Sequence, residues 1–312
     1  MAKPHNGTLN AFLIRRRHGA RGSEPHFGIG HHLGYRWLGE RRWKPGKPPP
    51  RWGVLWLLAC LAGLSHILLD FTNNYGVRPF EPFSYRWYSW DIIFIVEPVL
   101  WIILLGGLVL PSLFGLVTDE VRSRRTQGPR GRAGAIVALV LVVALWGFRD
   151  YEHRRAVAAL ESLTYRGEAP LRVSAYPYYI NPFRWYGVVE TGNAYESMIV
   201  DSLTPVVDAD DRAVVRYRPE ETAALLAAKQ SYLGRVFLDW AQYPMTETGP
   251  VNGEFGTGVN RAATGGSLVR FYDVRFAYPG FGGRRTLGGW VQLDGNMHVV
   301  GQNFGERESA GD

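Results

Sequence analysis

A histidine and an aspartate stand four residues apart near the end of a long apolar run, in "SHILLDFTNNYG" at residues 65–76. Residues at positions i and i+4 share one face of a helix, so His66 and Asp70 can offer an imidazole nitrogen and a carboxylate oxygen to the same metal ion. Ionisable groups inside a membrane span are usually functional. The alternative is a helix that ends at the membrane surface, with Asp70 in water and His66 hydrogen-bonded to a neighbouring helix.

Further polar residues follow this pair closely along the chain. They are Thr72, Asn73 and Asn74 after the apolar run, Asp91 at the end of the aromatic loop (residues 70–91), and Glu97 in the next apolar run. The loop returns both helix ends to one membrane side, so the three acids can meet His66 in one pocket. Oxygen donors with an imidazole suit zinc above all, and also manganese or magnesium. In the alternative interpretation, Asp91 caps the N-terminus of the second helix, and Glu97 makes a polar contact between helices.

Three apolar runs can position these residues in a membrane. The first, "WGVLWLLACLAGLSHILL", covers residues 52–69, and at 1.5 Å per residue its length nearly crosses a hydrocarbon core of about 30 Å. The second begins near Ile92 and contains Pro98 and Pro111, which predict kinks. The third, "AGAIVALVLVVALWGF", covers residues 133–148 without a charge. The sequence therefore predicts a bundle of three transmembrane helices within residues 52–150.

Basic residues predict the orientation of this bundle. Arginine and lysine are concentrated just before the first run and between the second and third runs, whereas the aromatic loop has only Arg78 and Arg86. Basic loops stay in the cytoplasm, so we expect the arm at residues 1–51 to be cytoplasmic. The aromatic loop, the candidate site and the C-terminal domain are then expected on the outer side of the membrane.

The net charge of +7 comes from residues 1–50, which carry ten Lys/Arg against two Asp/Glu and leave −1 for the remainder. A basic, irregular arm ahead of a membrane span indicates the orientation of the span and a contact with anionic lipid. We therefore expect the lipid bilayer, and not nucleic acid, as partner. The single cysteine, Cys60, excludes an intramolecular disulfide and a cysteine-pair zinc site.

Beyond residue 160 the pattern changes to short alternating stretches that predict strands, such as "LRVSAYP", "RWYGVVE" and "LGGWVQL". One helix is predicted within residues 219–242, with Pro219 in its first turn and one apolar face. The fold class is thus predicted as α+β. A bundle of three spans is followed by a soluble domain, residues 160–305, that is rich in strands and has one amphipathic helix.

The stretch "SHILLDFTNNYGVRPFEPFSYRWYSWDIIFIVEP", with the later "YYINPFRWYGVVE", resembles the bacterial YdjM-like family of membrane-bound metal-dependent hydrolases. The residues that carry the resemblance are His66, Asp70, Thr72, Tyr75-Gly76, Pro82-Phe83-Ser84, Trp87 to Trp90, Asp91 and Glu97-Pro98. The resemblance implies an inner-membrane protein with several spans and a metal site built from His and Asp on helices. It covers residues 50 to 190 best.

Two family motifs are absent from their expected place. The family has an Asp-x-Asp and then His-Arg-Gly-x-Thr-His-Ser before the first conserved span, and residues 1–50 contain only the loose echo "HGARGSEPH". Part of the implied metal site is therefore missing, through divergence or a shifted start or reading frame. The family's Asp-Pro is Glu97-Pro98 in this chain.

The leading hypothesis is a metal-dependent hydrolase acting on an ester or phosphoester of a lipid-like or envelope substrate. His66, Asp70 and Glu97 are then metal ligands, Asp91 a ligand or general base, and Thr72, Asn73 and Asn74 substrate or supporting groups. The rival hypothesis is a non-catalytic membrane anchor that displays the C-terminal domain for protein contacts. In that case the His/Asp pair is a structural polar contact.

Overall fold

The structure is a computed structural model that describes residues 51–121, 131–204, 213–250, 266–278 and 287–305. The basic arm, with its motif echo, lies outside these residues. The chain divides into two units, Met1–Cys60 and Leu61–Asp312. Of the first unit, residues 51–60 are described.

Three long helices come first along the chain. They are α1 at Trp52–Thr72, α2 at Pro98–Val121 and α3 at Arg132–Glu161. By length and composition α1 and α3 can each cross a membrane, and the shorter apolar part of α2 covers Pro98–Pro111. Two candidate spans are thus present, and the third span remains a prediction.

Small residues allow α2 and α3 to pack closely. A Cβ atom added to Gly107 would lie 2.5 Å from Cβ of Ala138, and one added to Gly134 would lie 2.4 Å from Cγ of Pro111. Gly134 and Ala138 are four residues apart on α3, a spacing that lets two membrane helices approach closely. Any larger side chain at Gly107 or Gly134 would force the two helices apart.

Helix α3 is much longer than the apolar run predicted at residues 133–148. Its last turns leave the apolar stretch and enter the core of the C-terminal domain, where Ala156 and Leu160 are fully buried. They pack on the first sheet with Tyr165, Trp185 and other apolar residues. One continuous helix therefore connects a candidate membrane span to the folded domain.

The C-terminal domain contains two antiparallel four-stranded sheets, each with its strands in chain order. The first comprises β1 Arg172–Pro177, β2 Arg184–Glu190, β3 Ala194–Asp201 and β4 Val214–Tyr217. The second comprises β5 Pro244–Pro250, β6 Ser267–Asp273, β7 Gly288–Leu293 and β8 Val299–Phe304. The mixed α+β class is confirmed. Sequence reasoning missed β5, whose "PMTETGP" is poor in strand-forming residues.

The domain is layered, as the alternation along β2 shows. Trp185 and Val189 face α3, whereas Tyr186 and Val188 belong to a tyrosine-rich cluster between the two sheets. The far face of the second sheet is covered by two short helices, α4 at Ala223–Gln230 and α5 at Tyr232–Trp240. The order of layers is thus helix, sheet, sheet, helices.

The prediction of a single helix within residues 219–242 is wrong, because the structure has the two helices α4 and α5 there. The Thr222 side chain caps the start of α4 by accepting from the Leu225 N–H. Ser231 then adopts an extended conformation, ends α4 and caps α5 through its hydroxyl, which accepts from the Gly234 N–H at 3.0 Å. Ser and Thr are preferred at helix N-termini, and both caps follow this preference. Ser231 was therefore the residue in the sequence that indicated the break between two helices.

Candidate functional site

The predicted metal pair lies on the last turns of α1. Nε2 of His66 is 3.4 Å from Oδ2 of Asp70, and the side chains are 76% and 44% exposed. The i, i+4 spacing places the imidazole and the carboxylate side by side on one helix face. Neither side chain is buried by the rest of the described chain.

Thr72 and Asn73 end α1 and turn the chain. Thr72 is fully buried, its hydroxyl donates to the Leu69 carbonyl oxygen at 2.7 Å, and its own carbonyl oxygen accepts from the N–H groups of Ile92 and Ile93. The Asn73 side chain accepts from the Tyr75 N–H at 2.8 Å, which closes a local turn. The end of α1 therefore runs beside the segment that leads to α2, and both residues have local structural contacts.

Asn74 points into the domain. It is almost fully buried, its amide lies 3.5 Å from the Tyr278 hydroxyl, and its carbonyl oxygen accepts from Nη1 of Arg275 at 2.8 Å. Within the described part of the chain, its side-chain oxygen is buried without a hydrogen-bond partner. Asn74 thus fixes the aromatic loop to the residues that follow β6.

Asp91 faces the same buried region. Its carboxyl group is hydrogen-bonded to Ser89 and lies in the electrostatic range of Arg275 and Asp273. Burial raises the pKa of Asp91 to about 6, because it disfavours the charged carboxylate. Oδ1 of Asp91 has no hydrogen-bond partner among the described residues. The alternative that Asp91 caps the second helix is wrong, since α2 begins only at Pro98.

Glu97 directly precedes α2, whereas the apolar run predicts a helix that begins near Ile92 and contains Glu97. Its carbonyl oxygen accepts from the Trp101 N–H at 3.2 Å, and Pro98 occupies the first helical position, where its missing N–H costs nothing. The side chain of Glu97 is buried, and it interacts electrostatically with Arg149 of α3. This arrangement corresponds to the predicted alternative of a polar contact between helices.

Sequence reasoning missed Arg149, which connects three segments. It is almost fully buried, and it donates from Nε to the Ile92 carbonyl oxygen at 2.9 Å and from Nη1 to that of Pro182 at 2.7 Å. Its guanidinium also lies 4.6 Å from the ring of Trp185. The signal was an arginine placed directly after an uncharged apolar run.

Sequence reasoning also missed the ion pair between Asp273 and Arg275. Both side chains are fully buried, and Nε of Arg275 donates to Oδ2 of Asp273 at 2.8 Å. Arg275 also donates to the carbonyl oxygens of Asn74 and Trp240. No sequence signal marked this pair, because it lies inside the strand-like stretch "FYDVRF".

The predicted ligands can be compared with what a metal requires. A catalytic zinc takes three protein ligands and keeps one position open. Over the described ranges, no group of three or more His, Cys, Asp or Glu side chains could hold an ion. His66 and Asp70 therefore supply two donors, and no described acid, Asp91 and Glu97 included, completes the set.

A family model described as "YdjM inner membrane protein" matches residues 13–156. This part of the chain is YdjM-like. The match confirms the predicted resemblance and covers α1, the aromatic loop, α2 and most of α3, together with most of the basic arm. Neither the curated proteins nor the solved structures gave a match to the chain.

The YdjM match and the two candidate spans support the same conclusion about location. The family is one of inner membrane proteins, and α1 and α3 provide helices of sufficient length and apolar character to cross a bilayer. Both observations support an association of the protein with a membrane.

Proposed function

We propose that this protein is an inner-membrane metal-dependent hydrolase, the activity that its resemblance to the YdjM-like family implies. The observation that carries the proposal is the accessible His66–Asp70 pair, with 3.4 Å between imidazole nitrogen and carboxylate oxygen at the end of a candidate span. A divalent ion, zinc above all, would polarise the bond to be cleaved and lower the pKa of a bound water.

Among the described residues, His66 and Asp70 are the two donors that such an ion would bind, and its other positions would be open to water and substrate. A proton acceptor is also required, and the raised pKa of Asp91 suits a group that exchanges protons near neutral pH.

The position of the pair supports a class of substrate. His66 and Asp70 lie on the last turns of an apolar helix, so a bond cleaved there would lie close to the membrane surface. We therefore propose an ester or phosphoester of a lipid-like or envelope molecule. The basic residues before α1 and between α2 and α3 favour a periplasmic location for the site and the C-terminal domain.

The test is the metal content of the full-length protein, purified in detergent and compared with two variants. His66→Ala removes a proposed ligand. His298→Ala is the matched control, because His298 forms a similar pair with Asp294, with 3.5 Å between Nδ1 and Oδ2 and an imidazole that is 79% exposed. We expect a stoichiometric divalent metal that is lost in His66→Ala and retained in His298→Ala. Absence of metal from the unmutated protein would refute the proposal.

A second candidate function is favoured by the contacts of the other predicted residues. Asn74 contacts Tyr278 and Arg275, Asp91 faces Ser89 and Arg275, and Glu97 faces Arg149. Asn74 and Asp91 connect the aromatic loop to the C-terminal domain, and Glu97 connects the start of α2 to α3. A non-catalytic anchor that displays this domain for protein contacts would need such connections and no metal. The same metal analysis separates the two candidates, since the anchor predicts that all three proteins are free of metal.

A further inference from the structure

The connection between β1 and β2 exposes an apolar side chain on a fixed backbone. This loop, residues 178–183, reads "YYINPF" and places Ile180 at its tip, with the residue 71% exposed. Ile180 has a φ of 65°, a conformation that β-branched residues rarely adopt. An exposed isoleucine in this conformation gains nothing from packing within the chain, so the outlier suggests a function at the loop tip.

Short-range hydrogen bonds hold the loop in shape. The Asn181 side chain accepts from the Phe183 N–H at 2.9 Å, and the Asn181 N–H donates to the Tyr179 carbonyl oxygen at 2.7 Å. The rings of Tyr178 and Tyr179 stack beside the tip, with centroids 4.6 Å apart. The loop is therefore a preformed apolar tip flanked by two tyrosines and followed by the exposed Arg184.

The level of this loop relative to the bilayer follows from α3. The charge-free stretch of α3 ends at Phe148, and Arg149 is the first charged residue after it. Arg149 donates to the Pro182 carbonyl oxygen, and the rings of Phe148 and Phe183 are 5.7 Å apart. The loop thus lies where α3, as a span, would leave the hydrocarbon core.

Two neighbouring segments expose apolar residues at the same level. Val96 lies between α2 and Ile92, whose carbonyl oxygen accepts from Arg149, and Leu203 follows Ser202, whose N–H donates to the Phe183 carbonyl oxygen at 2.8 Å. Both Val96 and Leu203 are exposed. Because these residues lie beside the end of the candidate span in α3, the partner that we infer is the bilayer which this span would cross.

We propose that the loop at residues 178–183 inserts Ile180 into the interfacial region of the lipid bilayer and seats the C-terminal domain on the membrane. Tyrosines are enriched at this depth, and the Arg184 guanidinium suits lipid phosphate groups. The proposal rests on the membrane association of the chain and does not require the metal site.

The test uses the full chain in phospholipid vesicles, in a Cys60→Ser background that removes the single native cysteine. A fluorophore is attached at Ile180→Cys and, as matched control, at Leu171→Cys. Leu171 is equally exposed, at 70%, but lies at the other end of β1, whose six residues extend for about 20 Å. The quencher is a phospholipid with a nitroxide near its headgroup.

Lipid quenching severalfold stronger at position 180 than at position 171 is the expected result, with Leu203→Cys behaving like Ile180→Cys. Equal quenching at positions 180 and 171 overturns the proposal. A blue-shifted emission at position 180 without lipid quenching also overturns it, because a protein surface would then cover the loop. The readout involves no metal, so this failure is separate from a failure of the proposed hydrolase activity.

Discussion

Replacing Arg275 by methionine should strongly destabilise the C-terminal domain. The guanidinium donates to the carboxylate of Asp273 and to the carbonyl oxygens of Asn74 and Trp240, and it lies 4.8 Å from the Trp240 ring. Methionine fills a similar volume but leaves the Asp273 carboxylate fully buried without its counter-charge. Removing one partner of a buried ion pair typically costs about 3–5 kcal/mol.

Thermal unfolding of the full-length protein in a mild detergent, followed by tryptophan fluorescence, measures this cost. For a domain of this size we expect the melting temperature to fall by on the order of 10 °C. Arg154→Met is the matched control, since the Arg154 side chain is 76% exposed and pairs with Asp150 on the same helix. Exposed pairs contribute less than about 1 kcal/mol, so this variant should unfold almost as the unmutated protein does.

The double variant Asp273→Asn, Arg275→Met identifies the cause. Because asparagine removes the unpaired charge, the double variant should be more stable than Arg275→Met alone. A melting temperature of Arg275→Met close to that of Arg154→Met would refute the argument. So would a double variant whose loss equals the sum of the two single losses.

Three further predictions follow from named contacts. The pKa of Asp91 is about 6 in the folded protein against 3.8 for the free side chain, so stability should fall as pH rises from about 4 to about 6, by up to about 3 kcal/mol. Asp91→Asn should remove this dependence in denaturant titrations and be more stable than the unmutated protein at pH 7; an unchanged profile would contradict the burial of the carboxyl group. Gly134→Leu should separate α2 from α3, because even a Cβ atom would meet Pro111 and the Gly107 carbonyl oxygen. A loss of cross-linking between cysteines placed on the two helices would report the separation, and retained cross-linking would contradict the close packing. Ile180→Asn should raise stability in detergent by about 1 kcal/mol, because asparagine tolerates the positive φ better, and a lower melting temperature would contradict this.

Much of the fold could be predicted from the sequence because hydrophobic periodicity is a local signal. The apolar run at residues 52–69 and strands such as "RWYGVVE" can be recognised from the pattern of apolar residues within each segment alone. The full extent of α3 could not be predicted in this way. Its apolar residues beyond Arg149 pack against a sheet whose strands come later in the chain. Strand β5 was missed because its pairing with β6 overrides a sequence of low strand propensity.

The candidate site was predicted less completely, for a physical reason. The helical spacing of His66 and Asp70 fixes their geometry locally, so their proximity follows from the sequence. The electrostatic surroundings of Asp91 include Arg275 and Asp273, which are about 180 residues away along the chain. Arg149 and Arg275 also donate to carbonyl oxygens of distant segments, and such backbone partners leave no pattern in a single sequence.

X-ray absorption at the zinc edge, on the full-length protein loaded with zinc, tests most directly whether His66 binds the proposed ion. The account predicts a first shell of nitrogen and oxygen atoms with imidazole scattering that decreases in His66→Ala and is unchanged in His298→Ala. Spectra that are identical for the unmutated protein and His66→Ala would contradict it.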